Sequence, residues 1–222
     1  MEKKYGVLWD MDGVIVDTKE LHYKTWAEIL PDYGIPFSRG LFLKTFGMNN
    51  ADTLAFLLGR PSTPEETNEI AGHKEALFRQ SVPGHIKPLP GVIKWIRRLK
   101  SWDFRQAIAS SAPMANIDIL MKELSLHDDF DAIVSGSGLP SKPDPSVFLE
   151  AARRIDVSPE KCVVIEDSLA GVEAAKMGGF KCIAVSTTNP ASKLSNADLV
   201  LASLDLLTED ALMRLLWKDM HR

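Results

Sequence analysis

Cysteine is scarce in this chain of 222 residues, and long apolar stretches are missing. Cys162 and Cys182 stand far apart, and each opens a short apolar run without the spacing of metal ligands. We therefore expect two reduced, buried thiols, because neither a disulfide framework nor a zinc site fits this pattern. No apolar stretch approaches the roughly 20 residues that cross a bilayer. We accordingly expect no membrane partner and a cytoplasmic protein.

A basic surplus is also missing. The 26 lysines and arginines are outnumbered by 30 aspartates and glutamates, and the net charge is -4. Because they form no long basic run, the composition argues against a nucleic-acid partner. The chain lacks internal repeats and low-complexity tracts. Its length is sufficient for a substantial core, so we expect one large domain or one domain with an insertion, in a monomer.

Short apolar runs alternate with helical patterns along most of the chain. The runs predict strands at 5–9, 104–109, 131–135, 162–165, 181–185 and 198–201. Apolar residues at helical spacing predict helices between them, at 91–101, 114–125, 145–155 and 168–177. Strand and helix in repetition indicate an α/β fold with a parallel sheet that is covered on both faces.

One segment, from about residue 18 to residue 85, breaks this alternation. It contains no convincing strand and predicts four helices, at 19–30, 38–46, 50–58 and 63–80, separated by turn signals. The simplest partition is a helical domain over 18–85 inserted into a discontinuous core of residues 1–17 and 86–222. Asp17-Thr18 and the stretch from Pro83 to Pro90 are then the expected hinges.

Two carboxylates with one residue between them, Asp10 and Asp12, follow the first apolar run. A buried strand there would deliver both to the carboxyl edge of the sheet, where ligands bind in open α/β folds. Gly13 then permits a sharp turn, because glycine reaches backbone angles closed to other residues. A polar turn that merely ends the strand explains the same residues. The pair alone leaves both interpretations open.

Three further polar clusters flank predicted core strands: Ser110-Ser111, Lys142 and Glu166-Asp167. Each has a simple structural explanation, since serine and aspartate often cap helices and a single lysine is usually solvated. Together with Asp10 and Asp12, however, they bring carboxylates, a hydroxyl and a cation to one edge of one sheet.

The order Asp10-x-Asp12, Ser110, Lys142 and Glu166-Asp167 resembles the four motifs of the haloacid dehalogenase superfamily. The similarity is to the branch of phosphatases and β-phosphoglucomutase, which has a helical cap after the first motif. It extends over residues 5 to about 190 and is specific as a set, although the serine motif alone says little. The resemblance implies a Rossmann-like core, Mg²⁺ as cofactor and phosphoryl transfer to an aspartate from a small phosphorylated substrate.

Charge explains why such a site needs a metal. A phosphate monoester is close to a dianion at neutral pH, and Mg²⁺ with oxygen ligands offsets that charge beside a carboxylate. From the resemblance we assign the metal to the Asp10 carboxylate, the main-chain carbonyl of Asp12 and the Asp167 carboxylate. Glu166 either ligates the ion or holds a bound water. Lys142 adds a second positive charge and orients Asp10.

The same resemblance assigns the reacting groups. Asp10 is the expected nucleophile, which splits one difficult step into two, and Asp12 is the expected general acid and base. The Ser110 hydroxyl and the amides near Ser111 are expected to donate to the transferring phosphoryl oxygens. An acid/base aspartate is absent from the dehalogenases and phosphonatases of the superfamily, so their chemistry is not expected here.

His22 and Trp26 lie one turn apart in the first helix of the insertion. They resemble a His and Trp pair that couples cap closure to substrate in β-phosphoglucomutase and its relatives. Ile29 shares that face, so a packed stripe is an equal alternative. Asn49 and Asn50 are further candidates for substrate binding, in an uncharged stretch where β-phosphoglucomutase has an arginine for the phosphate that is not transferred.

Three functions remain open on the sequence. A phosphatase of sugar or polyol phosphates is favoured because the Asn50 region lacks that arginine. A sugar-phosphate mutase is the first alternative, since Lys44, Lys74 and Arg79 of the insertion offer other cations. A non-catalytic phosphate-binding or regulatory protein of the same fold is the second, and the intact set of motif residues argues against it.

Overall fold

The computed structural model describes residues 5–217 and contains a six-stranded parallel sheet in the order β3-β2-β1-β4-β5-β6. The strands are β1 (Gly6–Trp9), β2 (Arg105–Ser110), β3 (Ala132–Ser135), β4 (Cys162–Glu166), β5 (Lys181–Val185) and β6 (Leu199–Leu201). Each predicted strand is confirmed to within one residue at either end. The predicted α/β fold is therefore confirmed, and its topology is Rossmann-like.

The central strand β1 carries the site to the edge of the sheet. Trp9 at its end pairs in register with Ile108 of β2 and Ile165 of β4. The chain order reverses between β1 and β4, and open α/β sheets bind ligands outside such a reversal. The residues that follow β1, β2 and β4 consequently lie side by side.

Helices cover both faces of the sheet. They are α6 (Val92–Ser101), α7 (Met114–Leu124), α8 (Ser146–Arg154), α9 (Leu169–Met177) and α10 (Glu209–Trp217). Successive strand residues point to opposite faces, so Trp9 packs in one hydrophobic cluster and Leu8 in the other. Both faces of β1 are thus buried, which explains why it reads as a continuous apolar run.

The segment between β1 and α6 is helical, as expected. It contains α1 (Lys19–Ile29), α2 (Arg39–Thr45), α3 (Asn50–Leu58), α4 (Pro64–Glu66) and α5 (Gly72–Ser81). A π-helical turn, Thr67–Ala71, joins α4 to α5, so the helix predicted at 63–80 is interrupted. We call this segment the cap. It has a hydrophobic cluster of its own, which includes Trp26, Phe42 and Leu54.

The two links between the cap and the sheet lie against each other. The Leu89 amide donates to the Ile15 carbonyl at 2.9 Å, and Val16 pairs with Pro88. The proposed boundaries of the core and cap domains, and their hinges, stay a prediction. Residues 1–4 and 218–222 of the proposed core lie outside the described residues.

The expectation for the two cysteines is met. Both cysteines are buried and free. No helix among residues 5–217 combines the length and the apolar character that crossing a membrane requires.

Candidate active site

A buried lysine connects two carboxylates at the carboxyl edge of the sheet. Lys142 Nζ donates to Asp10 Oδ1 and to Glu166 Oε1, each at 2.6 Å. The ammonium also lies 4.6 Å from the centre of the Phe148 ring. Its charge is therefore compensated by two anions within a buried site. The sequence places these residues far apart, and the sheet brings them together.

Asp10, Glu166 and Asp167 form the candidate metal centre. In the part of the chain that the structure describes, one carboxylate oxygen from each lies within 4.8 Å of the others. Burial, Glu166 and Asp12 raise the pKa of Asp10 to about 8, against the opposing charge of Lys142. Burial and the carboxylates of Glu166 and Asp10 also raise the pKa of Asp167. A divalent cation offsets this crowding of negative charge, and the oxygen donors suit one.

Glu166 and Asp167 are held differently. Glu166 Oε2 accepts from the amides of Asp167 and Ser168, both at 2.7 Å, while Oε1 accepts from Lys142. The helix α9 makes room for it, because a Cβ at Gly171 would lie closer than 3.0 Å to both Glu166 oxygens. The Asp167 carboxylate accepts from the Thr188 hydroxyl. Glu166 thus has fewer acceptor positions left for a metal ion than Asp167.

Asp12 faces the cap. Its carboxylate accepts from the Thr18 hydroxyl, and His22 Nε2 lies 3.5 Å from Oδ1. Burial alone would raise the pKa of Asp12, but His22, Thr18 and Lys74 outweigh it and lower that pKa. Asp12 is therefore anionic before substrate binds, which is the form of a general base.

The serine motif completes the edge of the sheet. Ser110 is buried at the end of β2, where its hydroxyl accepts from the Ala112 amide at 3.1 Å. Ser110 and Ser111 line a cavity of about 30 Å³ together with Asp10, Lys142 and the acidic pair. All of the motif residues that the sequence singled out therefore meet at one place.

A second cavity, of about 60 Å³, lies between the cap and the core. Its lining includes the predicted residues Asp12, His22, Trp26, Asn50 and Ser111. His22 reaches Asp12, whereas Trp26 both lines the cavity and packs in the cap's hydrophobic cluster. The two interpretations of this helix face therefore both apply. Ligand pockets usually hold roughly 300–1,000 Å³, so this cavity is small. The cap is closed over it, because cap residues Asn49 and Arg79 donate to Leu139 and Asn116 of the core.

Asn49 fastens the cap to the core. Its side-chain Nδ2 donates to the Leu139 carbonyl at 3.1 Å, and its main-chain amide donates to the Ser141 hydroxyl at 3.1 Å. Its Oδ1 caps α3 by accepting from the Asp52 amide at 2.9 Å. Both polar atoms of the side chain are therefore engaged in contacts that hold the cap on the core or cap α3. The side chain does not line the larger cavity. Its role in substrate binding stays a prediction.

Two charged neighbours in the cap were not predicted as site residues. The sequence analysis did not name Glu75, and it named Lys74 only as a cation that a mutase could use. Lys74 Nζ lies 2.8 Å from His22 Nδ1 and 2.9 Å from Glu75 Oε1. Both are buried and line the larger cavity. An adjacent lysine and glutamate on a helix usually indicate a solvated face, so the sequence pattern offered no signal. Lys44 is exposed, and Arg79 donates to Asn116.

Comparison with known proteins agrees with this geometry. A family model described as haloacid dehalogenase-like hydrolase matches residues 7–185. The β-phosphoglucomutase of Bacillus subtilis is 34% identical over 216 residues, which cover 93% of each chain. A phosphorylated carbohydrates phosphatase of Thermotoga maritima is 32% identical over 183 residues, 80% of this chain and 83% of the relative. The crystal structure of a β-phosphoglucomutase from Clostridium difficile shares the fold, with a TM-score of 0.87, 24% identity and coverage of 99% and 100%.

Proposed function

Because the chain belongs to the haloacid dehalogenase-like hydrolases, we propose that it is a phosphatase of small phosphorylated metabolites, with sugar and polyol phosphates as the substrate class. One observation carries the proposal. Asp10 lies in a buried cluster with Lys142 and Asp167, while a second carboxylate, Asp12, faces the cavity under the cap. Relatives named as phosphatases of phosphorylated carbohydrates and of hexitol phosphates support the same substrate class.

The donor set fits Mg²⁺, which prefers oxygen ligands and keeps several waters. We assign the ion to the carboxylates of Asp10 and Asp167 and to the main-chain carbonyl of Asp12. When bound, it neutralises charge on the phosphoryl group. Glu166 holds Lys142 in place, because its own oxygens are already engaged by Lys142 and by backbone amides.

In the first step an Asp10 oxygen forms a bond to phosphorus, and the bond from phosphorus to the substrate oxygen breaks. Lys142 and the Ser110 hydroxyl compensate the charge on the transferring group. The departing oxygen takes a proton from Asp12. Asp12 is anionic in the free protein. The arriving phosphate dianion raises its pKa, so Asp12 takes up this proton from the solution as the substrate binds.

In the second step Asp12 takes a proton from water. The water oxygen attacks phosphorus, and the bond between phosphorus and Asp10 breaks. Inorganic phosphate leaves and the Asp10 carboxylate is restored. The closed cap limits the access of water before the first step, and His22 and Thr18 keep the Asp12 carboxylate in place.

Turnover of phosphorylated metabolites in the presence of Mg²⁺ tests the proposal, with Asp10→Asn as the decisive variant. The amide cannot form the acyl phosphate, so we expect the fold to persist and turnover to disappear. Asp118→Asn, at an exposed position of α7, is the matched control and should keep full activity. If Asp10→Asn retained about a tenth of the normal rate, its activation barrier would be higher by only ~1.4 kcal/mol. That result would contradict the assignment of Asp10 as the nucleophile.

A sugar-phosphate mutase is the second candidate, because a relative named β-phosphoglucomutase matches over most of both chains. Asn50 argues for hydrolysis, since it is uncharged and donates to Glu75 at 3.0 Å. The test is incubation with β-glucose 1-phosphate, primed with the 1,6-bisphosphate and followed by phosphorus NMR. Release of phosphate without isomerisation supports the phosphatase. Glucose 6-phosphate that accumulates well ahead of inorganic phosphate identifies a mutase.

A further inference from the structure

The cavity under the cap contains a carboxylate that the proposed chemistry does not use. Glu75 is 5% exposed and lines the cavity with Asp12 and Lys74. Three donors hold it: Lys74 Nζ at 2.9 Å and Asn50 Nδ2 at 3.0 Å on Oε1, and Asn116 Nδ2 on Oε2. A carboxylate has about four acceptor positions. One position therefore remains for a group of the substrate.

The positive charge beside Glu75, that of Lys74, is already compensated by the Glu75 carboxylate. Lys74 is the one lysine or arginine among the described residues that line this cavity, and it contacts both Glu75 and His22. Arg79, one turn further along α5, donates to Asn116 at 3.0 Å and does not line the cavity. The lining thus carries two carboxylates against one ammonium.

Glu75 is ionised in this environment. Its burial would raise its pKa, but Lys74, His22 and the Asn116 amide outweigh that effect and lower it. A second phosphate that entered the cavity would face this anion and would find no uncompensated cation among the described lining residues. A hydroxyl group, in contrast, can donate to the free acceptor position of Glu75.

We infer that Glu75 determines specificity by admitting the neutral, hydroxyl-bearing body of a monophosphate and rejecting a bisphosphate. This inference rests on the proposed function, because it takes the transferring phosphate to lie beside Asp10. The discrimination comes from like charges placed close together within a site of low water content, where they repel strongly. It is a property of the cavity lining, separate from the bond-breaking groups.

Binding measurements on the Asp10→Asn protein with Mg²⁺ test the inference without turnover. Titration calorimetry with fructose 6-phosphate and fructose 1,6-bisphosphate gives the ratio of the two dissociation constants. We expect the bisphosphate to bind at least about tenfold more weakly. Equal affinities, tighter binding of the bisphosphate or no binding of the monophosphate would overturn the inference.

Removing the Glu75 charge should reduce the ratio of the bisphosphate dissociation constant to the monophosphate dissociation constant. In Asp10→Asn/Glu75→Gln, the bisphosphate should gain at least about tenfold in affinity relative to the monophosphate. The matched control is Asp10→Asn/Glu69→Gln, which removes the same charge from an exposed position of the same helical stretch. Its ratio should not change. An unchanged ratio in the Glu75→Gln protein contradicts the inference.

A second pair of variants leaves the buried contacts intact. It tests whether the charge of the cavity lining rejects the second phosphate, even if Glu75→Gln does not fold. Met48 lines the cavity and is 37% exposed, so Met48→Lys adds a cation there. It should improve bisphosphate binding selectively. Leu43→Lys, at a 53% exposed position of the cap away from the cavity lining, should not. Equal effects of the two lysines would contradict the inference.

The wild-type protein separates this inference from the proposed function. Phosphate release from p-nitrophenyl phosphate and from fructose 6-phosphate is measured alongside the binding experiments. Turnover without discrimination in binding refutes the specificity role alone. Discrimination in binding without any turnover refutes the phosphatase proposal alone.

Discussion

Replacing Gly171 by alanine tests the packing that holds the Glu166 carboxylate. Gly171 lies in the first turn of α9, and a Cβ there would come closer than 3.0 Å to both Glu166 oxygens. The carboxylate cannot move freely, because Lys142 and the amides of Asp167 and Ser168 all donate to it. The methyl group must therefore displace a charged group from its donors.

The expected size of the effect follows from these contacts. A hydrogen bond to a charged group contributes about 1.5–3 kcal/mol, and the displaced carboxylate gives up about two of them. Alanine in a helix recovers about 0.8–1.0 kcal/mol relative to glycine. We expect a net loss of about 2–5 kcal/mol in the free energy of unfolding. At roughly 2–4 °C per kcal/mol for a chain of this size, Tm falls by about 4–20 °C.

Gly72→Ala is the matched control. Gly72 also begins a helical segment, but nothing lies within 4 Å of the point that a Cβ would occupy there, so this substitution should raise the stability by about 0.5–1 kcal/mol. Urea denaturation and thermal melting followed by circular dichroism measure both proteins. In a Glu166→Ala background the cost of Gly171→Ala should largely disappear, which a double-mutant cycle detects. Stabilisation by Gly171→Ala, or an undiminished cost without Glu166, would refute this reasoning.

Three further predictions concern other parts of the structure. Chelation by EDTA should abolish phosphate release, and Mg²⁺ should restore it. Ca²⁺ should inhibit, because its ligands lie at roughly 2.3–2.6 Å, whereas those of Mg²⁺ lie at roughly 2.0–2.1 Å. Full activity in EDTA would contradict the metal assignment. Burial raises the pKa of Cys162 to about 12 and also raises that of Cys182, so a chromogenic disulfide at pH 8 should label neither thiol until guanidinium unfolds the protein. Asn49→Ala should raise KM and destabilise by about 1 kcal/mol, while Ser38→Ala, which removes the α2 cap far from the core contact, should destabilise without raising KM.

Much of the framework could be predicted because its signals are local. The strands of a sheet that is buried on both faces are short apolar runs, and all six were predicted to within one residue. Asp10, Ser110 and Glu166 stand at or just beyond the ends of such strands, and parallel strands present their carboxyl ends at one edge. The resemblance of these motif residues to those of the haloacid dehalogenase superfamily then implied the chemistry.

The π-helical turn at Thr67–Ala71 was not predicted, and the reason is also local. A π turn adds a residue to one turn of a helix and shifts every later side chain around the axis. The apolar spacing on either side still indicates a helix. The pattern therefore predicted one continuous segment at 63–80 and could not locate the interruption.

By itself, the sequence determined the order of strands and helices and the identity of the residues at the carboxyl edge, because both depend on neighbouring residues and on the geometry of a parallel sheet. Only the tertiary structure decided the electrostatics under the cap. Lys74 and Glu75 read as a solvated pair. In the structure, however, Lys74 lies against His22 of the same cap, 52 residues away in sequence, and Glu75 lies against Asn116 of the core, 41 residues away. Such contacts have no local pattern, because they depend on how helices that are distant in sequence pack together.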